Sequence, residues 1–553
     1  MLTGRACDGY GIWGGGNARS QDQPTASPGS SVSCRIEEYR LVTIGDVSTN
    51  EQLCFEWFMC KSAAKLPGAF KPAFWNSLLF QTSYTEPSVF HAVLALTSAH
   101  KKEMSSYFRR ERSKTLLPLE QFTLKQYSKA IGHLKPHFLA NNKVSIRVAL
   151  VTCVVFVYLE FMRGHYQTGI NHLRNGLKLL RELPAYSGSG NHDKLVILRP
   201  SPDPIDDYII EALLGLAVQV QLFSQNHRSH DLALPASRSN LSSGEFVSPN
   251  EARQYMDCLL NRIYLLTEQS RLHRLYEDGK PTHKILALRQ EIENDLNGWT
   301  QKFEVTKQQI MRINVRDAFA YHMLQNYCSM ARIMNKASLY PGDEMLYDEY
   351  LDEFVFIVMQ SVYLKQVAKA PAMVQRFAKD HEGMSNSIVD MGWIPKLYFV
   401  IVKCRNHRVR VQALRLMRSV PHKEGIWDST LAACIAEEVM RIEEVDFYKD
   451  VDISDIFDIL EHPTERQFAL PVLPDSNRLS DIQVGLPDDP AGRVKLRYKR
   501  RRGNGTWEDF TREYDLTEKV LKDHDAYSDY QMIERKVGPL KQNPGSDITR
   551  RAP

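Results

Sequence analysis

Few residues in this 553-residue chain stand at spacings that do chemistry. His133 and His137 are four apart, the spacing with which one helical face grips zinc. Pro136 lies between them and removes a helical hydrogen bond there, and no glutamate follows the first histidine. His91 and His100 have no acid or third imidazole close in sequence and read as solvated or capping side chains. Gly14 to Gly16 precede no strand-to-helix unit, so they form no phosphate loop. Gly188-Ser189-Gly190 has no strand before it, so it is no nucleophile elbow. Asp206, Asp207 and Glu211 place three carboxylates close together on one helical segment, an arrangement that can hold magnesium. Two basic clusters remain: Lys403 to Arg410, and Lys495, Arg497, Lys499, Arg500, Arg501 and Arg502.

The acidic group would have a use in a terpenoid synthase, where a second motif of the form Asn-Asp-x-x-Ser-x-x-x-Glu faces it. Asn294-Asp295 opens such a motif, but Gly298 and Lys302 occupy the positions that need Ser and Glu. The expectation is therefore no enzyme and no cofactor. The Lys403–Arg410 cluster reads as the solvated elbow of a helical hairpin. The Lys495–Arg502 cluster has two readings that stay open. Such a run can be a nuclear-import or nucleic-acid patch, or a charged sheet edge that blocks edge pairing.

The elements that would position these groups are helices. Val148 to Leu159 is an apolar run broken only by Thr152, too short to span a bilayer by the usual count of about 18 residues. It reads as a helix buried nearly all round, with Val151, Val155, Phe156 and Leu159 in the core. Gly164 breaks the pattern. Tyr166, Ile170, Leu173, Leu177 and Leu180 then form a one-sided helical stripe. The two segments make a helical hairpin at the centre of the chain. Apolar content of 43%, charged content of 25% and a net charge of +4 are those of an ordinary globular protein, and that charge alone implies no nucleic-acid partner. The nine cysteines include no C-x-x-C pair, which argues against a disulfide framework or a complete zinc site. No apolar segment follows Met1, so the expectation is a soluble intracellular chain without a membrane partner.

Phe122, Tyr127, Ile131 and Leu134 read as core of an earlier helix. Helical patterns recur at 251–271, 282–304, 307–337, 343–369, 386–404, 407–419 and 427–446, with no alternating strand among them. Near the C-terminus Val494, Leu496 and Tyr498 alternate with basic residues, and Gly503-Asn504-Gly505 marks a turn before Trp507 and Phe510. That is a β-hairpin over 493–516. The fold class expected is all-α: a large domain of antiparallel helical hairpins over 48–446, then a tail over 447–553 carrying the hairpin, with disordered termini. Residues 13–47 read as a flexible linker rich in Gly, Ser, Pro and Gln.

Before that linker, TGRACDGYGIW resembles the end of a fungal-type binuclear zinc cluster, where the last of six cysteines is followed by Asp-Gly-Tyr. Cys7, Asp8, Gly9 and Tyr10 match. Counting six residues back from Cys7 puts the preceding cysteine one position before Met1, so residues 1–12 are expected to be a cluster remnant that holds no zinc by itself. Three further stretches resemble the fungal-specific transcription factor regulatory domain: Phe74-Trp75-Asn76 through His91-Ala92-Val93, Phe161 to Tyr166 with His172 to Leu177, and IPKLYFVIVKCRNHRVR from Ile394. The resemblance implies a transcriptional regulator of RNA polymerase II genes in a fungal nucleus, often of metabolic or secondary-metabolite pathways. It implies zinc as cofactor and promoter DNA as partner where the complete cluster exists, together with an import receptor, co-regulators and a homodimeric state. The alternative is a helical interaction module that binds no DNA.

Overall fold

The computed structural model describes residues 47–108, 116–140, 142–181, 204–224, 232, 234, 244–276, 281–310, 315–369, 387–419, 421–451, 453, 455–502 and 505–515. Cys7 and the termini expected to be disordered lie outside them. Within them the fold is all-α with a small sheet, as expected.

The central helix is Lys143–Arg163. Asn142 caps its start by accepting a hydrogen bond from the Ser145 N–H at 2.9 Å. Gly164 ends it at φ 83°, a left-handed turn that a side chain would strain, and a Cβ there would also sit 3.2 Å from Pro490. The helix is long and apolar enough to cross a membrane, yet it is buried by its neighbours. Helices Pro87–Phe108, Leu116–Ala140, Tyr166–Arg181 and Pro204–Ser224 surround it. Val151, Val155, Phe156 and Leu159 are buried, as are all five residues of the Tyr166–Leu180 stripe.

Gly169 and Gly176 explain how closely the two arms of the hairpin approach. A Cβ on Gly169 would lie 2.6 Å from the Phe161 ring, and one on Gly176 would lie 2.7 Å from Cys153 Sγ. Here glycine serves packing rather than a turn.

The second half repeats the arrangement. Helices Pro249–Tyr276, His283–Ile310 and Val315–Ala337 pack against one another, followed by Leu351–Lys369, Ile394–Lys403, His407–Arg418 and Ser429–Glu444. The stretch expected to be helical from 386 begins only at Ile394. Glu424 supplies the reason. Its carboxylate accepts from the Gly392, Trp393 and Ile394 N–H groups at 2.8, 2.8 and 3.1 Å, capping that helix from a distant turn. Two short strands flank the turn, β1 (Lys423–Glu424) and β2 (Trp427–Asp428), and β2 takes the first two residues of the stretch expected to be helical from 427. Ile131 corrects another expectation: it is 42% exposed on the outer face of its helix, whereas Leu134 is buried.

The C-terminal hairpin forms, but inside a three-stranded antiparallel sheet ordered β3 (Leu479–Gly485), β4 (Arg493–Arg501), β5 (Trp507–Asp515). β3 escaped the sequence pattern because its register shifts between Ser480 and Gln483. Val484, Val494, Leu496 and Tyr498 on the inner face join the same hydrophobic core as the helices.

Candidate functional site

The basic run occupies β4, and its alternation does two jobs. Val494, Leu496 and Tyr498 point inward, and the Tyr498 ring stacks on Phe510 at 5.2 Å. The cations between them point outward. β4 pairs with β3 on one side and β5 on the other. It is the central strand, so its charges cannot be guarding a sheet edge, and that reading is corrected.

Most of these cations carry partners. Lys495 lies 3.1 Å from Glu513, Lys499 3.1 Å from Asp481, Arg501 2.8 Å from Asp475, and Arg502 2.5 Å from Glu508. Arg500 donates to the Ser476 carbonyl at 2.7 Å. Arg497 stands opposite Thr511 and Gln483 and has no acid partner among the described residues. Pairs this exposed are worth about 0–1 kcal/mol each, so a phosphate or an acidic partner can displace them. Asp481 also ties the strand to the helices: it holds Lys499 with one oxygen and accepts from Arg271 with the other.

The other basic cluster does something different. Lys403, Arg405, Arg408 and Arg410, expected on a solvated elbow, are buried. Arg405 donates to Glu344 at 3.0 Å and Glu443 at 2.8 Å, while Arg410 donates to Glu443 at 2.7 Å and Glu444 at 3.0 Å. Lys403 Nζ lies 2.7 Å from Glu344, and the Arg408 guanidinium stacks over Phe457 at 3.3 Å. Burial alone would push the Glu443 carboxyl up, but Arg405 and Arg410 beside it leave it below the usual carboxylate range. The elbow is a structural ion knot, unavailable to nucleic acid. Its acids come from Glu344, Glu443 and Glu444, too far along the chain for a local pattern to announce them.

His91 and His100 are core groups, not solvated ones. His91 is buried and shares a 2.7 Å hydrogen bond with the Gln126 carbonyl, and its ring stacks on His133 at 5.3 Å. His100 meets Ser62 at 3.0 Å, and burial lowers its pKa to about 4. His137 faces Ser145 rather than His133. No group of His, Cys, Asp and Glu that could hold a metal occurs among the described residues. Of the acids considered for magnesium, Asp206, Glu211 and Asp295 are each held by a cation. Asp206 binds Arg147 at 2.7 Å and Lys143 at 3.1 Å, Glu211 binds Arg253, and Asp295 binds Arg262. Arg253 also holds Asp257 at 2.7 Å and Asp390 at 3.4 Å, and burial raises the Asp257 carboxyl to about 7 despite it. Sequence alone missed this knot because Glu211 and Asp390 reach Arg253 from distant segments.

Comparison with known proteins adds the following. The profile described as the fungal specific transcription factor domain matches residues 55–340. The aspercryptin biosynthesis cluster-specific transcription regulator atnN of Emericella nidulans is 20% identical over 524 aligned residues, covering 80% of this chain and 83% of that protein. The transcription regulator lscL of Purpureocillium lilacinum is 25% identical over 139 residues, covering 25% of this chain and 33% of that protein. No solved structure matches.

Proposed function

The chain belongs to the fungal specific transcription factor domain family, and we propose that it regulates RNA polymerase II transcription of one secondary-metabolite gene cluster. The observation that carries the reading is the likeness to the aspercryptin cluster regulator, which runs over 80% of the chain and so extends beyond the family domain. The buried ion knots and the continuous core agree with a rigid scaffold that works through partners rather than through a reactive site.

In this reading Cys7 is a remnant that holds no zinc by itself, promoter DNA is a partner only where the complete zinc cluster exists, and the helical domain engages co-regulators, with homodimers as the functional form. The Lys495–Arg502 run is the nuclear-import segment. What supports that role is the outward placement of its side chains and the weakness of the exposed pairs that occupy them.

The test is genetic. Deleting and overexpressing the gene should move the transcripts of one contiguous set of biosynthetic genes in opposite directions, with the protein enriched at their promoters. Transcripts that move without promoter enrichment would favour a helical interaction module that binds no DNA. No contiguous set moving would end the cluster-regulator reading. For localisation, a fluorescent fusion carrying Arg500→Ala, Arg501→Ala and Arg502→Ala should lose nuclear enrichment; an unchanged distribution would remove the import role from this strand.

A further inference from the structure

Helix Leu116–Ala140 is apolar on two sides. Thr123, Gln126, Ala130 and Leu134 turn into the core. On the outer side Leu117, Leu124, Ile131 and Phe138 are 42–62% exposed, and Leu139 beside the last of them is more exposed still. The four stand seven residues apart, over three heptads. Seven residues fall about 20° short of two helical turns, so the row winds slowly around the helix. A second helix that coils left-handed against it can follow the whole row. Single apolar residues scattered on a surface need no explanation, but a continuous row marks a contact surface. Ile131, expected in the core, belongs to this row.

The row is complementary to itself. Two copies run antiparallel about a two-fold axis between Tyr127 and Ser128 set Leu124 against Ile131, and Leu117 against Phe138, twice each. The same axis brings Lys135 to the level of Glu120 of the second copy. Glu120 holds Lys102 at 2.7 Å and Arg163 at 2.8 Å, yet a quarter of its side chain stays exposed. A parallel pair in register would instead set the exposed Lys125 and Lys135 each against its own counterpart. The charges therefore select the antiparallel arrangement. Pro136 lies inside the helix before Phe138 and bends helices at such a position, so the central Leu124–Ile131 layers carry most of the contact. Three heptads is the short end of what sustains a helical pair, which sets the expected affinity in the micromolar range.

We infer that the outer face of helix Leu116–Ala140 is an antiparallel, two-fold contact between two copies of this chain, with Leu124 of each packed on Ile131 of the other. The inference rests on the homodimeric state in the proposed function and supplies its contact surface.

The test is sedimentation equilibrium of the full chain from about 1 to 100 µM. The parent should dimerise, and Leu124→Glu and Ile131→Lys should each weaken the dimer by about tenfold or more. Both residues are exposed, so both variants should melt like the parent. An equimolar mixture of the two variants should recover dimers, because the antiparallel axis sets the new acid against the new cation in one layer and leaves Ile131 against Leu124 in the other. A mixture as monomeric as its components would overturn the antiparallel contact. A parent dimer that Leu124→Glu leaves intact would keep the homodimer and overturn this face as its contact. A parent that stays monomeric throughout would overturn both and leave the row to another occupant. Should a variant fail to fold, the parent decides the question by itself: amide exchange from Leu124 to Ile131 should slow as concentration rises, and unchanged exchange in a parent that dimerises would overturn the inference.

Discussion

Arg410 and Glu443 meet at 2.7 Å with neither side chain exposed to solvent. Arg405 shares the same carboxylate, and the Leu479 N–H donates to it at 2.8 Å, so one buried acid joins helix His407–Arg418, helix Ser429–Glu444 and strand β3. Removing one partner of such a pair strands the other charge. Arg410→Met should therefore destabilise the protein by about 3–5 kcal/mol. The double variant Arg410→Met, Glu443→Leu should recover little of it, because Arg405 and the Leu479 N–H then lose their acceptor. Urea unfolding midpoints of the parent, both single variants and the double variant give the coupling. Full recovery in the double variant would show that the knot is replaceable by apolar packing.

His407 makes stability depend on pH in the alkaline direction. Its two ring nitrogens face Glu444 at 2.7 Å and Asp455 at 3.2 Å, which requires the doubly protonated ring. Burial alone would lower its pKa, but hydrogen bonds to Asp455 and Glu444, with their charges, raise it from 6.5 to about 9. A group whose pKa is higher folded than unfolded contributes fully below the unfolded value and loses that contribution as pH rises through the folded one. The parent should lose roughly 2–3 kcal/mol between pH 6.5 and 9 relative to His407→Gln, a range set at about 1.4 kcal/mol per unit and reduced for the half-exposed Asp455. Parallel pH–melting curves for both chains would refute the assignment.

The central hairpin should reject side chains at Gly176. A Cβ there would lie 2.7 Å from Cys153 Sγ, inside any normal contact. Gly176→Val should cost about 1–3 kcal/mol from overpacking. Gly132→Ala, at a position where a Cβ would meet nothing within 4 Å, should be neutral or slightly stabilising. Melting temperatures of the two variants compare the sites directly, and equal effects would mean that the hairpin arms are not held this close.

How far the fold could be read in sequence depended on how local its causes are. The Tyr166–Leu180 stripe and the run through Phe156 were legible because each records the burial of its own helix. Phe156→Ala should cost about 3–5 kcal/mol by the same burial, read as a fall in melting temperature. The residues misread are those whose partners arrive from elsewhere. Arg405 and Arg410 look solvated until Glu344 and Glu443 are brought to them. Glu424 caps a helix that starts 30 residues earlier in the chain. β3 was hidden because its bulge, with Asp481 at φ 50°, breaks the alternation that revealed β4.

The last prediction concerns what the basic strand does to DNA. Four of its six cations face acids at 2.5–3.1 Å, and the strand lies on a folded sheet rather than on a helix or ribbon shaped for a groove. It can therefore add only phosphate contacts, which carry no sequence information. Attraction of that kind falls in the range of roughly 10⁻⁴ to 10⁻⁶ M at physiological salt, and its logarithm falls with the logarithm of salt by about 0.9 for each phosphate contacted. Arg497, which among the described residues has neither an acid partner nor a backbone acceptor like the one that holds Arg500, should be the principal contact. Arg497→Glu should weaken non-specific DNA binding and reduce the salt slope by about one, equally for a CGG-containing duplex and a scrambled one. The measurement is a titration of both duplexes across a salt series with the parent and the variant. A variant that loses preference for one duplex while keeping its affinity for the other would place base recognition on this strand and contradict the account of it as a charge patch.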